Sequence, residues 1–89
     1  MAKTTNFVNI TQIINGKSAK VVELHHNSEI MSKLEAMGII PGAVITKTSA
    51  IPARGPIILK KDSVQFAIGY DMAQKIIVEP LDQVIGSSL

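Results

Sequence analysis

Ser28-Glu29-Ile30-Met31-Ser32-Lys33-Leu34-Glu35-Ala36-Met37-Gly38-Ile39-Ile40-Pro41-Gly42 holds a helix, its stop and a tight turn in one run. Ile30, Met31, Leu34 and Met37 fall at helical spacing and form one apolar stripe, with Ser32, Lys33 and Glu35 off it. Asn27 or Ser28 is positioned to cap the first turn, and Glu29 suits the positive end of the helix dipole. Gly38 supplies the left-handed residue that ends a helix. Ile39-Ile40-Pro41-Gly42 then turns the chain, with Pro41 at position i+1 and Gly42 at i+2 as a type II turn prefers.

Around this helix the chain reads as short strands. Ile10 to Ile14 is a strand or a single helical turn, leading to the turn dipeptide Asn15-Gly16. Ser18 to His25 reads as a strand with apolar residues on both faces. Ala43 to Ala50 is a second strand, and Ile51-Pro52-Ala53-Arg54-Gly55-Pro56 a loop. Ile57 to Lys60 and Ser63 to Ile68 form a hairpin around Lys61-Asp62, with Val64, Phe66 and Ile68 on one face. Asp71 caps a helical turn over Met72 to Gln74, and Lys75 to Glu79 is a last strand stopped by Pro80. The expectation is an all-β chain with one helix, its five or so strands curled into a small barrel. An open sheet with the helix on one face is the alternative. Residues 1–9 read as a flexible arm, 10–80 as the domain and 81–89 as a tail; Leu81, Val84, Ile85 and Leu89 have helix-like spacing interrupted by Gly86, which fits packing on the barrel, disorder or self-association.

Composition agrees and excludes much. At 89 residues there is one small core and no room for a cleft between lobes. Isoleucine and valine together number 21, against two phenylalanines and one tyrosine, which favours pleated surfaces. Cysteine is absent, so disulfides and thiolate chemistry are excluded. With a net charge of +2, Lys60-Lys61 as the only basic pair and few aromatics, the chain lacks the groove and stacking platform of a nucleic-acid binder. No apolar run is long enough to span a bilayer, and Met1 to Asn6 has no signal-peptide core behind it. A soluble, cytoplasmic protein is expected.

Candidate chemistry is sparse. His25 and His26 are neighbours on a strand and so point to opposite faces, which disfavours joint metal binding; they are weak candidates only. No serine or threonine has an obvious base, no glycine cluster cradles phosphate, and no cofactor motif occurs. The chain is expected to bind rather than catalyse. Ile51 and Pro52 are apolar residues in a loop, a usual place for partners to dock, with Arg54 beside them and Lys33 on the outer helix face.

Lys33-Leu34-Glu35-Ala36-Met37-Gly38-Ile39-Ile40-Pro41-Gly42 is similar to a signature of the ferrous iron transport protein A family, the FeoA-like domains: basic residue and leucine, then methionine-glycine, then proline-glycine. Asn15-Gly16-Lys17-Ser18-Ala19-Lys20-Val21 resembles the family's opening, Arg54-Gly55-Pro56-Ile57 its loop before the third strand, and Ser63 to Ile68 with Met72 to Val78 its closing strands. Gly69 stands where the family usually has a basic residue, Lys61-Asp62 where it often has a glycine turn, and Leu81 to Leu89 runs past its usual end. The resemblance, over Ile10 to Pro80, implies an SH3-like barrel and a non-enzymatic cytosolic accessory of ferrous iron uptake, without a cofactor. It implies as partner the membrane transporter FeoB, which carries a cytoplasmic GTP-binding domain. The alternatives are the regulatory barrel of metal-dependent transcriptional repressors, whose helix-turn-helix reader is not expected in the nine residues before the match, and an iron chaperone using the histidines.

Overall fold

A computed structural model describes residues 6–24 and 28–81. Its order is β1 (Val8–Asn9), a 3-10 turn (Ile10–Gln12), β2 (Lys17–Leu24), α1 (Ser28–Ala36), β3 (Val44–Ala50), β4 (Ile57–Lys61), β5 (Val64–Ile68), α2 (Tyr70–Ala73) and β6 (Ile76–Pro80). The strands form one antiparallel sheet in the order β1-β6-β2-β3-β4-β5.

The all-β expectation holds, with two corrections. Among the described residues there are six strands, because Val8 and Asn9, assigned from sequence to a loose arm, pair with Val78 and Ile77. The sheet curls but does not close: β1 and β5 are its two ends, and among the described residues neither pairs with the other. A two-residue β1 is too short to seal a seam against a five-residue edge.

Two irregularities let this sheet wrap a single core. In β2 the register with β6 shifts between Val21 and Glu23, so Val22 is an extra residue. The slip resets the two-residue alternation and turns Ala19, Val21 and Leu24 all inward. In β3 the register with β4 shifts between Lys47 and Ser49, around Thr48. Inside lie Ile10, Leu34, Ile39, Ile45, Ile57, Leu59, Ile68, Ile76 and Val78, all essentially without solvent contact.

α1 ends as its sequence dictates. The Gly38 amide donates to the Glu35 carbonyl and the Ile39 amide to the Leu34 carbonyl, both at 2.9 Å, with Gly38 at φ +80°. This is a Schellman stop, which only glycine enters without steric cost. The Ala43 amide then bonds the Ile40 carbonyl at 2.9 Å across Pro41-Gly42, with Gly42 at φ +96°, as a type II turn requires.

Ile10 to Gln12 resolves into a 3-10 turn rather than a strand. Asn9 accepts from the Thr11 amide and Gln12 accepts from the Asn9 amide, a reciprocal cap. The other end of the turn is capped by Lys47, whose side chain reaches in from β3. Its Nζ donates to the carbonyls of Ile13 at 2.7 Å and Thr11 at 2.9 Å. Lys47 is only 6% exposed, and burial pushes its ammonium below the ordinary 10.5, with its electrostatic interaction with Tyr70 working the other way.

Candidate interaction surface

The β3–β4 loop is built to hold its shape while facing outward. The Ile51 amide donates to the Pro56 carbonyl at 2.9 Å, and the Gly55 amide to the Ile51 carbonyl at 3.1 Å. Both backbone polar groups of Ile51 are thus used, and its side chain, 51% exposed, stands half out of the surface. Pro52 and Arg54 are exposed as well. Gly55 is required by close approach: a Cβ there would lie 2.7 Å from the Ile51 Cβ.

This loop carries backbone strain. Ala53 at φ +64° and Arg54 at φ +63° are consecutive left-handed residues, and neither is glycine. Each such residue costs on the order of 1–2 kcal/mol. Arg54 returns part of that by lying over the Tyr70 ring, 5.2 Å from its centre, which ties the loop to the start of α2. Strain of this kind persists where surroundings impose a shape, and it collects at functional sites.

The residues singled out from sequence are therefore partly united. Ile51, Pro52 and Arg54 share one exposed, braced loop. Lys33 is exposed on α1, and among the described residues no hydrogen bond or ion pair joins it to that loop. His25 and His26 lie outside the described residues. Among those described, no group of three or more histidines or carboxylates is placed to hold a metal ion, and no helix is long and apolar enough to cross a membrane.

Two further apolar features escaped the sequence reading. Gly38, Ile40, Pro41, Gly42 and Val44 line an open cleft with Lys61 and Asp62, in which Ile40 and Val44 are exposed. Ile14, Val8 and Pro80 line another at the opposite edge. Buried Lys47 also went unread, although its signal was present: it alternates with Ile45, placing both on the inner face of β3.

Comparison with known proteins agrees with this architecture. The family model of the FeoA domain matches residues 8–80. The crystal structure of an iron uptake regulatory protein (FeoA) is 33% identical with a TM-score of 0.79, covering 85% of this chain and 100% of that one. The solution structure of iron(II) transport protein A from Clostridium thermocellum is 26% identical with a TM-score of 0.78, covering 83% of this chain and 46% of that one. A manganese-dependent transcriptional repressor shares the fold, at 18% identity and a TM-score of 0.79, with 90% of this chain matched to 45% of the repressor. A search of curated proteins gave no significant match. With the family model spanning residues 8–80, the stretch that holds the whole described sheet, the Gly38 stop and the Pro41-Gly42 turn, this chain is a member of the FeoA domain family.

Proposed function

We propose that this protein is a small cytoplasmic accessory of a ferrous iron uptake system, which docks on the cytoplasmic GTP-binding domain of the FeoB-type membrane transporter and performs no catalysis itself. The loop Ile51–Pro56 is the contact. The observation that carries this reading is a half-exposed isoleucine next to an exposed proline, held by two backbone hydrogen bonds and an arginine–tyrosine contact on strained backbone. An apolar anchor already fixed in one conformation loses little entropy on binding. Arg54 supplies a charge beside that anchor, and the exposed Lys33 on α1 is a second, separate candidate contact.

Isothermal titration of the purified transporter domain, loaded with GDP or with a non-hydrolysable GTP analogue, tests this. Binding is expected in at least one nucleotide state, and Ile51→Asp should weaken it about tenfold or more, on the order of 1.4 kcal/mol. Absence of binding at high micromolar concentration in both states would overturn the reading.

A further inference from the structure

We propose that the outer edge of β5 pairs with the same edge of a second copy of this chain, antiparallel and centred on Phe66, to form a weak symmetric dimer. This does not depend on the transporter reading above.

β5 ends the sheet, and among the described residues nothing pairs with its outer side. Natural edges are blunted by charges, prolines or bulges. Val64-Gln65-Phe66-Ala67-Ile68 carries no charge and no proline, and its pairing with β4 runs unbroken from Lys61↔Val64 to Ile57↔Ile68. Val64 is 57% exposed, although it lies on the face that buries Ile68. An apolar residue left open at an unguarded edge points to a strand arriving beside it.

The backbone phase selects the register. A hairpin with a two-residue turn closes on a pair that exchanges hydrogen bonds, and every second pair beyond it does the same. On that phase Val64, Phe66 and Ile68 turn their amides and carbonyls toward β4. Gln65 and Ala67 turn theirs to the free edge. An antiparallel second copy centred on Phe66 sets Gln65 opposite its Ala67 and Ala67 opposite its Gln65. All the outward amides and carbonyls are then used, and Phe66 meets Phe66 across the axis in the close, non-hydrogen-bonded position. Val64 of each copy comes opposite Ile68 of the other on the same face.

The occupant follows from the pattern. Apolar residues at 64, 66 and 68 are symmetric about the centre, so the strand is complementary to itself, as an isologous contact demands. Its lack of charge offers no electrostatic means of choosing a foreign strand. One short strand pair buries less than the ~1,200 Å² of a standard stable interface, so the dimer is populated only at high protein concentration.

Sedimentation equilibrium from about 10 μM to 1 mM is the test, since weak pairs of this size dissociate in that range. The wild type should pass from monomer to dimer. Gln65 and Ala67 are both exposed, so changes there leave the core intact, which thermal melting verifies. The Q65K/A67K variant puts like charges directly opposite and should stay monomeric, whereas Q65K/A67E puts opposite charges together and should regain the dimer. In NMR, the amides of Gln65 and Ala67 should gain protection from exchange as concentration rises, while that of Phe66 is protected throughout. A wild type that stays monomeric, a dimer indifferent to Q65K/A67K, or concentration-dependent protection elsewhere than β5 would overturn the proposal.

Discussion

Lys47→Met is the most informative single change to the fold. It keeps the unbranched stem of Lys47 on the inner face of the curled sheet and removes only the ammonium. What is lost are the bonds to the Thr11 and Ile13 carbonyls, at 2.9 and 2.7 Å. Bonds to a charged donor contribute about 1.5–3 kcal/mol each, and a buried carbonyl left unpaired costs roughly 1–3 kcal/mol. Against this stands relief from burying a cation, a penalty of several kcal/mol for a fully dehydrated ion. The opposing effects leave a net destabilisation of about 2 kcal/mol, because the two acceptors end the 3-10 turn that carries Ile10 and Ile13 into the core. In a domain of this size that lowers Tm by about 8–16 °C and the urea midpoint by about 1 M. The effect is also pH-dependent. The folded chain holds Lys47 below 10.5, the value it regains on unfolding. Between those two values the unfolded chain binds more protons, so wild-type stability gains from rising pH in that window. The methionine variant lacks this contribution, so the gap between the two should widen as pH rises toward 10.5. Urea denaturation of both proteins at neutral and alkaline pH measures it. A variant as stable as wild type would show that dehydration of the ammonium outweighs its hydrogen bonds, and would refute this account.

Three further changes probe the strained loop and the turn after α1. Gly55→Ala drives a methyl to 2.7 Å from the Ile51 Cβ and should cost about 1–3 kcal/mol by denaturation, while displacing the Ile51 side chain. Ala53→Gly relieves a left-handed residue at φ +64° and should raise stability by about 0.5–1 kcal/mol; if the imposed shape serves docking, titration against the transporter domain should show weaker binding by the more stable protein. Gly42→Ala meets no atom within 4 Å, so any loss is backbone strain alone, expected at about 1–2 kcal/mol in thermal melts.

What could be read in the sequence was punctuation and period. Gly38, Pro41 and Gly42 announce α1's end and the following turn because few residues reach positive φ cheaply. The β4–β5 hairpin was legible to within one residue: its turn is Asp62-Ser63, between the paired Lys61 and Val64, rather than Lys61-Asp62, and Asp62 at φ +58° takes the left-handed position that aspartate tolerates. Bulges were not legible. Val21-Val22 reads as a strand covered on both faces, yet the cause is an extra residue that resets the alternation. Strand closure was misjudged for a related reason: it depends on the length of β1, and two residues leave almost no periodic signal. Of the candidate contact, the apolar residues of the loop were visible in composition. Its bracing was not, because the Arg54–Tyr70 contact joins residues far apart in sequence and the left-handed pair Ala53-Arg54 has no compositional mark.

The position of β6 between β1 and β2 has a consequence for how the molecule is made. Among the described residues Ile76 and Val78 are the last of the core to leave the ribosome, and they fill the gap between β1 and β2, which are synthesised before the other described strands. Until then the nascent chain can form the β2-to-β5 meander but exposes the strip that β6 later covers. Folding therefore waits on translation of Lys75 to Pro80, a non-local step that slows acquisition of structure and lengthens the interval in which the unfinished chain is open to chaperones.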